Sequence, residues 1–200
     1  MSNRPNIIFI NTDQHTWDVI SAYSHPTVKT PNIDRIINHG ISFMRSYSSD
    51  PVCGPTRASW MTGRFTSEIG TPFNGGHLHA DIPDLGQTLR AGGYRAIHCG
   101  KWHVEGRNVH DSFDVLYTGQ EPILAGGAEY YDPAITRAVV DFLTSDDSAG
   151  ASNSGQSQAG PFFMQIAYVN PHDICEYEHN HEEKEIPDPV AQGMLTPDQL

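Results

Sequence analysis

The chain has 200 residues, of which 38% are hydrophobic and 18% charged, with 18 Gly and 14 Pro. That composition suits a folded globular protein and excludes disordered and collagen-like classes. A formal net charge of −12 argues against nucleic acid or an anionic membrane as a partner held by bulk electrostatics. A few local cations can still hold an anionic substrate. The acidity is uneven: residues 170–200 contain eight Asp and Glu against one base, Lys184.

No apolar run approaches the roughly 18 residues of a membrane span. The opening stretch carries only a four-residue apolar run, Ile7 to Ile10, short of the roughly 7–15 residues of a secretory h-region. Cys53, Cys99 and Cys175 are too few and too scattered for a disulfide framework. A cytoplasmic, reducing location is the expectation.

In chain order, Pro5 to Thr12 reads as a buried strand, followed by Asp13 and Gln14. A helix is expected from Thr30 to His39, with Pro31 at its start and Gly40 at its end. Ile41 to Tyr47 reads as a second strand. Pro55 to Gly63 and Asp84 to Gly92 read as helices, and Tyr94 to Cys99 as a strand running into Gly100-Lys101-Trp102-His103. Asp132 to Leu143 has Ile135, Val139 and Phe142 on one helical face. Pro161 to Val169 is an apolar strand ending in Asn170-Pro171-His172. Strands alternating with helices imply an α/β fold with a mainly parallel sheet sandwiched by helices. Residues 145–160 read as a flexible insertion and 176–200 as an acidic loop or tail.

The most informative segment is Cys53-Gly54-Pro55-Thr56-Arg57. A cysteine at a predicted helix N-terminus, with an arginine one turn on, is an anion site in outline. Orphan backbone N–H groups, the positive helix end and a guanidinium converge there. Cys99 and Cys175 read as plain small side chains, and His77 and His79 as part of a solvated loop.

Cys-x-Pro-x-Arg followed by a helix ending in Gly resembles the signature of the formylglycine-dependent (type I) sulfatases, within the alkaline-phosphatase-like superfamily. Four further elements fit in that family's chain order: Asp13-Gln14, Asn74-Gly75, Gly100-Lys101-Trp102-His103 and Pro171-His172. The resemblance runs from about Pro5 to Asp173. It implies that a formylglycine-generating enzyme converts Cys53 to formylglycine, whose hydrated aldehyde is the nucleophile toward sulfur. It implies catalytic roles for Arg57, Lys101, His103 and His172, with Asn74, Lys101 and His172 contacting substrate. Asp13, Gln14 and modified Cys53 are hard oxygen ligands, which suit Ca²⁺ or Mg²⁺. The expected reaction is hydrolysis of a sulfate monoester to an alcohol and inorganic sulfate. The alternatives are a phosphonate monoester or phosphodiester hydrolase of the same superfamily and a non-catalytic fragment.

The family's later metal ligands have no counterpart after His172. Residues 1–175 are therefore expected to form the N-terminal part of a sulfatase catalytic domain, inactive alone. A C-terminal segment or a second polypeptide would complete it.

Overall fold

A computed structural model describes residues 4–118, 128–145 and 160–175. Four strands make one parallel sheet: β1 (Ile7–Asp13), β2 (Arg95–Gly100), β3 (Asp114–Tyr117) and β4 (Phe162–Pro171), in the order β1-β4-β2-β3. The helices are α1 (Pro31–His39), α2 (Cys53–Thr62), α3 (Thr66–Ile69), α4 (Leu85–Ala91) and α5 (Ala128–Thr144). The expected insertion at 145–160, beyond its two end residues, and the tail at 176–200 lie outside the described residues.

The side-chain alternation of β2 and β4 explains the layering. Ala96 and Phe163 point to one face, where they pack with Ala58 and Met61 of α2, Ile69 of α3 and Leu85 and Leu89 of α4. Ile97, Cys99, Phe162, Met164 and Ile166 point to the other, against Ile135, Val139 and Phe142 of α5. The Cys99 thiol is buried there and its pKa is pushed up to about 12 by burial, as suits an inert core side chain. α4 starts where the sequence places it, because Asp84 accepts the Gln87 N–H at 3.0 Å while Gln87 accepts the Asp84 N–H.

Three expectations need correction. Residues 41–47 form no strand: Ile41, Phe43, Met44 and Tyr47 lie exposed, with no neighbouring strand to pair with. The apolar periodicity is real, but among the described residues no partner gives it a ladder. α2 begins at Cys53 itself, so the cysteine lies in the first helical turn and not ahead of it. α5 begins four residues earlier than the pattern suggests, with Pro133 inside it. β3 is only four residues long, too short for periodicity to reveal.

β1 is an edge strand with an uncovered face. Ile8 pairs with Met164 and Ile10 with Ile166, so they share the α5 side of the sheet. Yet Ile8 is 45% and Ile10 53% exposed.

A polar seam crosses the sheet beneath its C-terminal edge. His98 Nε2 donates to Gly100 O at 3.0 Å, and Nδ1 lies 3.1 Å from the Gln165 amide, which in turn reaches Asn11 at 3.4 Å. Burial pushes the His98 pKa down to about 4. The unfolded chain therefore takes up a proton near pH 6.5 that the folded chain refuses until about pH 4. Stability is complete above pH 6.5 and falls as pH drops through this window, by about 3 kcal/mol from this group. Urea unfolding across pH 4–7 should show that slope, and His98→Gln should flatten it. An equal slope in both proteins would exclude His98 as its source.

Candidate active site

The sheet brings three of the five sequence motifs to one edge, the C-terminal ends of its strands, where open parallel sheets bind ligands, and α2 brings a fourth beside them. Asp13 ends β1, Lys101 and His103 follow β2, and His172 follows β4. Gly100 makes the β2 exit possible. Its φ is +110°, and a Cβ there would collide with the Ala167 carbonyl. The Lys101 N–H donates to that same carbonyl at 2.9 Å.

At the centre, one carboxylate meets two buried cations. Asp13 Oδ2 lies 2.5 Å from Lys101 Nζ and 3.3 Å from Arg57 Nη2. Arg57 Nη1 also donates to Lys101 O at 3.0 Å. Arg57 and Lys101 are each 2% exposed and Asp13 7%. Burial raises the Asp13 pKa, but the Lys101 hydrogen bond and the Arg57 and Lys101 charges outweigh it and hold the carboxyl below its ordinary range. The centre thus carries an excess positive charge beside the N-terminus of α2.

Cys53 occupies that N-terminus as a free, half-buried thiol. Asn74 Nδ2 donates to its Sγ at 3.4 Å, and Asn74 Oδ1 accepts the Gly54 N–H at 3.0 Å. The fifth motif, Asn74-Gly75, therefore also reaches the site, on the loop after α3. His77 and His79 are exposed farther along this loop.

His172 is held by both neighbouring elements. Asp132 of α5 accepts the Val169 and Asn170 N–H groups at 2.8 and 3.0 Å. Asp173 accepts the Ala128 N–H at 2.7 Å, and its other oxygen lies 3.6 Å from His172 Nδ1. These clamps fix the end of β4 beside Asp13, whose strand partner is Pro171.

Gln14 and His103 both have positive φ, +60° and +50°. Such backbone costs roughly 1–3 kcal/mol per residue and gathers at functional sites.

The donor set was tested for a divalent cation. Asp13 is a hard oxygen donor and Gln14 lies next to it, but Lys101 and Arg57 already engage Asp13 Oδ2. Among the described residues, no three metal-ligating side chains gather. Asp13 and Gln14 alone therefore do not complete a Ca²⁺ or Mg²⁺ site, which needs further oxygen donors.

Comparison with known proteins shows the family and the fold. The profile of the family described as Sulfatase matches residues 5–192. The chain belongs to the sulfatase family. It is 36% identical over 133 residues to an N-acetylglucosamine-6-O-sulfatase of Bacteroides thetaiotaomicron, covering 66% of this chain and 23% of that one. A solved sulfatase-fold structure in complex with its substrate D-glucosamine-2-N,6-O-disulfate superposes with TM-score 0.67 and 30% identity, over 84% of this chain and 35% of that one. A phosphonate monoester hydrolase of Agrobacterium radiobacter shares the fold, with TM-score 0.60 and 23% identity over 84% of this chain and 41% of that one. The chain spans about a quarter of the length of the curated relatives it matches.

Two acidic groups beside this site, Asp132 and Glu105, belong to no motif in the sequence. Asp132 marks only a helix start there. Glu105 lies two residues past His103, and that spacing was its one sequence signal.

Proposed function

We propose that this chain supplies the nucleophile side of a sulfatase site that hydrolyses a sulfate monoester on a glycan. The observation that carries the reading is the buried Arg57–Lys101 pair around Asp13, next to Cys53 at a helix N-terminus. Two buried cations with one counter-carboxylate favour a ligand that brings negative charge. The glycan assignment draws on the relative named for N-acetylglucosamine 6-O-sulfate and on the neighbour bound to a glucosamine disulfate.

In this reading a formylglycine-generating enzyme first modifies Cys53, and the resulting hydrated aldehyde supplies the nucleophile. Arg57 and Lys101 offset charge on the sulfuryl oxygens. Asn74 holds the nucleophile's side chain against the helix N-terminus. His172 delivers a proton to the departing sugar oxygen, and His103 takes one from the nucleophile's hydroxyl. A Ca²⁺ or Mg²⁺ ion at Asp13 and Gln14 belongs to the proposal, with the remaining donors coming from beyond the described residues.

The uncovered Ile8 and Ile10 support completion of the sheet by further polypeptide. Burying two such side chains contributes about 1.5–3 kcal/mol each. The isolated 200-residue chain is accordingly proposed to be inactive. A cytoplasmic location is also part of the proposal.

The deciding assay offers the purified full-length enzyme, with the sheet completed, glucosamine 6-O-sulfate and phenyl phosphonate in parallel. Sulfate release should dominate. Dominant phosphonate turnover would replace this reading with the phosphonate hydrolase one, and turnover of neither in a protein carrying formylglycine would leave a non-catalytic binding role.

A further inference from the structure

Glu105 joins three parts of the site that the sequence motifs treat separately. Its Oε1 accepts the Gly75 N–H at 3.1 Å and lies 3.2 Å from His103 Nε2. Its Oε2 stands 2.8 Å from the position a Cβ on Gly54 would take, and Asn74 Oδ1 stands 2.9 Å from the same point. The missing side chain at Gly54, directly after the nucleophile, is therefore what admits this carboxylate to the N-terminus of α2. An alanine there would push against both groups.

The contact with His103 has a chemical consequence. A carboxylate only accepts hydrogen bonds, so the ring nitrogen facing it must carry a proton. Burial, opposed by Glu105 and aided by the charges of Lys101 and Arg57, keeps His103 below its ordinary pKa. A neutral ring has one N–H, and Glu105 claims it for Nε2. Nδ1 is then a bare acceptor, and it is buried with no hydrogen-bond partner among the described residues. Buried acceptors are rarely left so, and an exception calls for a partner that arrives with the ligand or the modification.

We propose that Glu105 is a positioning residue: it fixes His103 as the Nε2–H tautomer, so that Nδ1 is the atom that accepts a proton from a site hydroxyl. This rests on the sulfatase reading for the identity of that hydroxyl, which is one of the hydrated formylglycine. The tautomer assignment itself rests on the contacts alone. The arrangement uses the logic of an acid that orients a catalytic histidine through the far ring nitrogen. Glu105 does so while also tying down the Asn74-Gly75 loop, so one carboxylate sets both the base and the group that holds the nucleophile.

The test is nitrogen-15 NMR of histidine-labelled protein, with the His103 signal identified by its loss in His103→Gln. Wild-type protein should show Nε2 protonated and Nδ1 unprotonated near neutral pH. Glu105→Leu should shift the ring toward a mixture of tautomers. Glu105→Gln should retain the original one, because its amide oxygen still accepts. In sulfate release, Glu105→Leu should lower kcat about 10- to 100-fold with KM little changed, and Glu105→Gln should restore most of it. A wild-type ring protonated at Nδ1 overturns the proposal without Glu105→Leu having to fold. So does an unchanged tautomer in Glu105→Leu. If the full-length wild-type enzyme carrying formylglycine releases no sulfate, the functional reading fails, while the tautomer result still decides the role of Glu105.

Discussion

In the full-length enzyme, Cys53→Ala should abolish sulfate release, by about 10⁵- to 10⁶-fold if it removes the nucleophile, and leave the fold unchanged. The structural half follows from what Cys53 touches. Its thiol is half-buried in the first turn of α2, and its polar contact is the Asn74 amide at 3.4 Å. The covered core beneath α2 is made by Ala58 and Met61, which the substitution does not reach. The urea midpoint should therefore move by no more than about 0.5 kcal/mol in stability. The catalytic half follows from the surroundings: two buried cations can stabilise a sulfuryl group but cannot attack it. Intact mass should also show the wild-type protein about 18 Da lighter than its sequence when isolated from its host, and the variant at its sequence mass. Retained turnover in Cys53→Ala would remove the nucleophile assignment, whatever the mass.

Asp13→Ala should cost about 3–5 kcal/mol of stability, because it strands Arg57 and Lys101 in the interior. Both side chains are almost fully buried, and Asp13 Oδ2 faces each of them. Arg57 would keep one bond, to Lys101 O, but Lys101 Nζ would lose its only described ion-pair partner. Lys101→Met placed on top of Asp13→Ala should recover part of the loss by removing one of the two stranded charges. Denaturant unfolding of the wild type and the two variants reads this directly. A loss below about 1 kcal/mol, the range of an exposed pair, would mean that the centre is wetter than its burial indicates. The pH dependence has a definite sign. The Asp13 carboxyl is held below its ordinary range, so its contribution is present above that range and disappears as pH falls through the lowered value.

Both predictions concern residues that the chain order of motifs had already singled out. Cys53, Arg57, Asn74, Lys101, His103 and His172 stand in motifs whose chemistry is local: a helix N-terminus, a strand exit, a turn. Their residue types and flanking Gly and Pro reveal each piece separately. Asp13 was legible too, but with a different partner. The sequence suggests a metal ligand, whereas the folded chain gives it Lys101 and Arg57. Those partners are 88 and 44 residues away, and no periodicity encodes such a meeting. Glu105 is legible only as a near neighbour of His103, because its significance depends on the absence of a side chain at Gly54, 51 residues earlier.

The strand at 41–47 failed for a related reason. Alternating apolar residues state that a segment can pair, not that a neighbour exists. The same limit explains β1, whose apolar run predicts burial on both faces while Ile8 and Ile10 remain exposed in the folded chain.

From the amino-acid order alone follow the α/β class, the family resemblance and the candidate nucleophile position, because each depends on residues close in the chain. Length and the −12 charge excluded whole classes of partner, but they said nothing of the site's local field. That field is positive at the centre of an acidic chain. Only the tertiary structure decides this, since it alone brings two cations from different elements to one carboxylate and excludes the water that would screen them.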